Sequence, residues 1–154
     1  MNTQIPIPAG RAGRLPCLLL LLAMAAAAAA GTPDVRILVD VSGSMKNNDP
    51  GNLRRPALGL VSELLPEGTV AGAWLFAAEP EVLVPTAPVD AGWRRHARDR
   101  LGRIHARGLF TDIEKALEAA TTGWTGSAPA GERHIVLLTD GVVDVAKDPA
   151  LSDA

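Results

Sequence analysis

Apolar residues fall into short runs that alternate with stretches of helical spacing. Val35-Arg36-Ile37-Leu38-Val39-Asp40-Val41 is almost continuously apolar, and so is His134-Ile135-Val136-Leu137-Leu138-Thr139. Such runs mark strands buried on both faces of a parallel sheet. Between them, Leu53, Ala57, Leu60, Val61, Leu64 and Leu65 recur at intervals that predict a helix with those residues on its inner face, ending at Pro66 and Gly68. Residues 69–78 and 81–86 read as strands close enough to pair as a hairpin across Glu79-Pro80. Trp93, Ala97, Leu101 and Ile104 share one face of a second helix, and Ile113, Ala116, Leu117 and Ala120 one face of a third. Residues 42–52 and 123–131 are rich in turn formers and read as loops. No internal repeat is present.

Strands alternating with helices predict an α/β fold with a mainly parallel central sheet. Right-handed crossovers then put helices on both faces. The strand at 35–41 is expected at the centre, between the second strand and the run at 134–139, with the third strand antiparallel at one edge. Residue 154 falls about where a further helix is expected. The chain therefore reads as the N-terminal piece of a longer protein, with 134–139 left as an open edge.

The first thirty residues differ from the rest. Arg11 and Arg14 precede an uncharged run from Leu15, through Leu18 to Leu22, into the alanines that end at Ala30. A basic region, an apolar region and small residues at the exit compose a secretory signal peptide, with cleavage expected after Ala30. The uncharged run is shorter than the roughly 20 apolar residues that span a bilayer. Residues 1–30 are thus expected to be a signal peptide and 31–154 one domain, exported to the periplasm or cell surface. Membrane association would come only through a region further downstream.

Composition narrows the function. Apolar residues make up 47% of the 154-residue chain and charged residues 21%, which is globular and excludes collagen-like or disordered classes. Aromatics are 3%, with no Tyr, and the formal charge is −2, so neither a base-stacking platform nor a nucleic-acid footprint is expected. Loss of residues 1–30 would remove the one cysteine, Cys17, leaving a thiol-free domain suited to an oxidising compartment.

Candidate chemistry gathers where strands end. In open α/β sheets, ligands bind outside the carboxyl ends of the strands. Two buried runs here end in acids, Asp40 and Asp140. Ser42 and Ser44 follow Asp40 at a spacing of two, so their hydroxyls point the same way. Thr111 opens the third helix. Two carboxylates and three hydroxyls form an all-oxygen set, which suits a hard divalent cation: Mg²⁺ first, with Mn²⁺ and Ca²⁺ as alternatives. Zinc is disfavoured for want of a thiol or a histidine pair.

Asp40-Val41-Ser42-Gly43-Ser44 resembles the Asp-x-Ser-x-Ser motif of the metal-ion-dependent adhesion site (MIDAS) in von Willebrand factor type A domains. The segment Thr111-Asp112-Ile113-Glu114 resembles the second motif loop, and Thr139-Asp140-Gly141 the third. The resemblance covers roughly 34–148. It implies a Rossmann-like fold, direct ligation of the metal by Ser42, Ser44 and Thr111, and action of Asp40 and Asp140 through water and hydrogen bonds. It also implies a protein partner that supplies an Asp or Glu carboxylate. One departure is Phe110, where the family usually has Gly, which bears on the placement of Thr111.

Other readings compete. Thr111 and Glu114 also match a capping box, Thr-x-x-Glu. Asp140-Gly141 could be a plain turn, and Ser42 and Ser44 turn residues. Trp74, Trp93 and Trp124 read as packing residues, and His96, His105 and His134 have no catalytic spacing. Arg94, Arg95, Arg98, Arg100, Arg103 and Arg107 read as a solvated helix face, with an acidic partner or anionic lipid as the alternative. The competing function is a metal-dependent phosphoryl-transfer hydrolase with Asp40 as nucleophile. Ser42 stands where such enzymes carry a second Asp, and no nucleophile elbow or phosphate loop appears. A chelatase or ATPase partner subunit of the same family would be cytoplasmic, at odds with a signal peptide.

Overall fold

The computed structural model describes residues 31–124 and 131–142. Its sheet has the order β3-β2-β1-β4, from β1 (Asp34–Asp40), β2 (Val70–Phe76), β3 (Pro80–Pro88) and β4 (Arg133–Leu138). β1 runs parallel to both neighbours, with Asp34 opposite Val70 on one side and Arg133 on the other. β3 pairs antiparallel with β2. This is the order that the hydrophobic pattern predicts. The helices are α1 (Met45–Asn48), α2 (Arg54–Leu64), α3 (Ala91–Arg100), prolonged by a 3₁₀ turn at Leu101–Arg103, and α4 (Ile113–Thr121).

Side-chain alternation along β1 builds an apolar layer on each side of the sheet. Val35, Ile37 and Val39 face Leu58 of α2 and Trp93 and Ala97 of α3. Leu38 faces the other way, with Trp74, Phe76 and the small residues Ala116 and Ala120 of α4. Ile37, Leu38 and Val39 are fully buried, and each such side chain contributes about 1.5–3 kcal/mol. The central strand is thus clamped from both sides, which fixes where its carboxyl end points.

Three expectations need correction. The stretch 42–52 is not all loop, because α1 occupies part of it, held by the buried Met45. The buried residues of α2 are Arg54, Leu58 and Ser62; of the expected inner face Val61 and Leu65 do pack against the core, whereas Leu53, Leu60 and Leu64 are 61–71% exposed. The helix is rolled by Arg54, whose guanidinium is drawn inward to polar partners. Thr111 does not open the third helix. Asp112 is the N-cap of α4, and its carboxylate accepts a hydrogen bond from the Lys115 N–H at 3.0 Å. The capping-box reading of Thr111 therefore falls.

Among the described residues, β4 pairs only with β1, and Ile135 and Leu137 are about 40% exposed. No helix among the described residues is long and apolar enough to cross a membrane. The signal-peptide reading of residues 1–30 lies outside the described residues.

Candidate metal centre

β1 delivers Asp40 to the carboxyl edge of the sheet with its side chain fully buried. Both carboxylate oxygens are engaged. Oδ1 accepts from the Ser42 N–H at 2.8 Å and Oδ2 from the Thr139 hydroxyl at 2.7 Å. The first bond bends the chain straight after the strand, and the second ties the ends of β1 and β4 together. Ser42 is 2% exposed, and its Oγ lies 3.0 Å from Ser44 Oγ. The spacing of two therefore brings the hydroxyls together, as the motif predicts.

Asp140 stands just beyond β4. Its Oδ2 accepts from the Asn48 side-chain amide at 2.8 Å, and its Oδ1 from the Val142 N–H at 3.0 Å. Partial burial pushes its pKa up, but hydrogen bonds from Asn48, Val142 and Ser44 outweigh this and hold it below the ordinary carboxylate value. Asp140 is thus a stable anion beside Ser44. Among the described residues, neither Asp40 nor Asp140 takes part in a salt bridge. All their hydrogen-bond donors are neutral.

Thr111 reaches the same place from the segment before α4. It is 2% exposed and lines a cleft of about 240 Å³ together with Ser42, Ser44 and Gly108. Backbone bonds hold this segment at both ends: Gly108 N–H donates to Val41 O and Asp112 N–H to Ala77 O, each at 2.8 Å. A Cβ on Gly108 would sit 2.4 Å from the Ala77 Cβ and 2.9 Å from Val41 O, so only glycine fits that close approach. Phe110 adopts φ +60°, a left-handed conformation that costs a non-glycine residue about 1–3 kcal/mol. The chain thus follows a path made for glycine with a phenylalanine in it, and Thr111 still faces the cleft.

Sequence reasoning missed four supports. Thr139 orients Asp40, Asn48 orients Asp140, and Gly108 seats the Thr111 segment. Arg54 is the fourth, with its guanidinium on the carbonyls of Asp40 and His105 and its Nε 2.7 Å from Asp49 Oδ2. Two signals could have found some of them. Thr139 adjoins Asp140, and Asn48 lies four residues beyond Ser44, one helical turn on.

The competing surfaces are less organised. Arg94 donates to Leu65 O, Arg98 pairs with Glu63 and Arg103 with Glu81, so half of the arginine cluster is spent within the fold. Trp74 and Trp93 are buried packing residues. No group of three or more His, Cys, Asp or Glu side chains able to hold a metal occurs among the described residues. Any cation at the sheet edge would therefore depend on hydroxyl ligands, and the donor chemistry there fits one: converging neutral oxygens backed by two unpaired carboxylates.

The comparisons with known proteins agree with this fold. The family model described as von Willebrand factor type A domain matches residues 35–142. A von Willebrand factor type A protein from Catenulispora acidiphila is 27% identical, with a TM-score of 0.65, over 79% of this chain and 29% of that one. The von Willebrand factor domain of the type V pili tip protein Mfa5 from Porphyromonas gingivalis is 19% identical, with a TM-score of 0.59, over 74% of this chain and 39% of that one. Proximal thread matrix protein 1 from the mussel byssus, whose structure has a zinc-occupied MIDAS motif, is 16% identical, with a TM-score of 0.57, over 78% and 34%. This chain thus spans well under half the length of each. No curated protein matches it.

Proposed function

The chain belongs to the von Willebrand factor type A domain family, whose members typically mediate protein–protein interaction, and from that premise we propose an extracytoplasmic binding module built on a divalent cation. Ser42, Ser44 and Thr111 hold the ion directly, while Asp40 and Asp140 neutralise it and orient the hydroxyls. Bound there, the cation supplies a Lewis-acidic positive charge for an Asp or Glu carboxylate of a protein partner. One observation carries the reading. Two carboxylates with no basic partner among the described residues sit against hydroxyls that converge to 3.0 Å. Such an arrangement offers a cation neutral oxygens backed by negative charge that no basic side chain offsets.

All-oxygen ligands favour Mg²⁺, with Mn²⁺ and Ca²⁺ next. The zinc in the mussel relative's motif supports divalent binding at this kind of site without selecting Mg²⁺ here. The pili tip relative and the signal-peptide reading of residues 1–30 support a place outside the cytoplasm. The phosphoryl-transfer alternative loses ground, because an aspartyl nucleophile needs a free, accessible oxygen. Asp40 is fully buried, and both of its oxygens are already hydrogen-bonded.

Calorimetric titration of the full chain with Mg²⁺, Mn²⁺ and Ca²⁺, repeated on Ser42→Ala, tests the cation. Partner capture with and without chelator tests its use. Capture should fail in chelator and with Ser42→Ala. Capture indifferent to both would move recognition to another surface.

A further inference from the structure

The cleft that holds the hydroxyls has an apolar rim. Leu109, Phe110 and Val142 line it beside Ser42, Ser44 and Thr111, and they are 74%, 40% and 47% exposed. Single exposed apolar residues are ordinary, whereas these three stand together beside one polar cleft.

Two facts show that the rim is built rather than incidental. The tip Leu109-Phe110 is gripped on both sides by the backbone bonds of Gly108 and Asp112 to the ends of β1 and β2. Phe110 also keeps its ring at this place in a backbone conformation that favours glycine. With the backbone of the Leu109-Phe110 tip clamped at both ends, less ordering entropy is lost when a partner contacts it.

We propose that the partner segment carries a large apolar side chain immediately beside its acidic residue, and that Leu109, Phe110 and Val142 receive it. The inference rests on the cation reading above and deepens it. The cation takes one carboxylate, and the uncharged rim next to it repays an apolar neighbour. A run of several acids would set further charges against Leu109 and Phe110 and leave both apolar side chains without an apolar contact, so a single acid flanked by Leu, Ile, Met or Phe is the better complement.

The test is a displayed heptapeptide library with a fixed central Asp, panned on the immobilised full chain in Mg²⁺ and eluted with EDTA. Enriched peptides should carry a large apolar residue next to the Asp. A selected peptide, made synthetically, should bind Leu109→Ala and Phe110→Gly about tenfold more weakly, the scale set by exposing one apolar contact. Glycine takes φ +60° without strain, so Phe110→Gly should fold. Titration with Mg²⁺ alone should be unchanged in both variants, whereas Ser42→Ala should lose ion and peptide together. If the ion binds but selection shows no apolar preference, or both rim variants hold the peptide as wild type does, the inference is overturned and the cation reading stands. If no divalent ion titrates into the wild-type chain, both fall.

Discussion

β1 ends in a polar cluster at each of its tips, and the two are opposites. At the amino end, Arg36 is 7% exposed and grips Asp34 through two bonds of 2.6 and 2.7 Å. It donates to Thr86 Oγ1 at 2.7 Å and lies 5.5 Å from the ring centroids of Trp74 and Trp124. The Trp124 indole N–H completes the shell on Asp34 at 2.9 Å. Cation and anion are both present there, and the cluster closes on itself. At the carboxyl end, Asp40 and Asp140 receive only neutral donors, and the nearest buried cation, Arg54, is committed to Asp49 and two carbonyls. The same strand therefore carries one neutral, finished network and one that is short of positive charge. That imbalance, rather than polarity or burial, separates a cluster that holds the fold from one that can hold a ligand.

The sharpest way to break the contrast is Arg36→Ala. It strands Asp34 and should cost about 3 kcal/mol of stability in urea unfolding, with cation affinity unchanged. At the other end, Ser42→Ala or Asp40→Asn should lower affinity for Mg²⁺ or Mn²⁺ by about 10–100-fold, with the urea midpoint of the metal-free chain nearly unmoved. Asparagine is the better choice at position 40, because the full burial of Asp40 makes alanine a test of folding as well as of the ion. Adding Mg²⁺ at about 100 times its dissociation constant should stabilise the wild-type chain and Arg36→Ala alike, by about 2.7 kcal/mol, and Ser42→Ala far less. Equal stabilisation of Ser42→Ala would dissolve the distinction between the two ends.

The smallest effect is on pH. His105 has a lowered pKa, from burial first and then from Arg107. The unfolded chain therefore takes the proton first, and stability should begin to fall as pH drops below about 6.5, through the folded value. His105→Gln should flatten that limb. Asp34 and Asp140 also titrate below their ordinary value, despite a desolvation that opposes the shift. Their contribution is present above about pH 4 and is lost in stronger acid. Mg²⁺ should protect only the carboxyl end, which unfolding curves of Asp34→Asn and Asp140→Asn, with and without the ion, would separate.

How much was legible in the sequence follows from the range of each interaction. The strands of the sheet and their order could be read, because Ile37, Leu38 and Val39 announce a two-sided burial that needs no knowledge of partners. Ser42 and Ser44 converge because their geometry is set within five residues of Asp40. The roll of α2 could not be read. Periodicity groups Leu53, Ala57, Leu60, Val61, Leu64 and Leu65 on one face, and Val61 and Leu65 do pack on the core, but Arg54 is drawn in by Asp49 and by carbonyls of residues 40 and 105 and turns the other leucines outward. The helix α1 is four residues long, too short for any period to show. Thr139 and Asn48 escaped because each matters only through an acid brought to it by the fold.

The grip on residues 108 and 112 has a consequence for how such a domain could diversify. The main chain, not the side chains of Leu109 and Phe110, sets the height of the tip, and the hydroxyls of Ser42 and Ser44 are positioned by the Asp40–Ser42 bond and by the bridge of Ser42 to Gly108 rather than by the tip residues themselves. On the proposed function, substitutions at 109 and 110 that keep the backbone path into Thr111 would change what is recognised while leaving the ion's hydroxyls in place. Lineages carrying such a domain would be free to exchange partners through two neighbouring codons while the charged socket beside them stays the same.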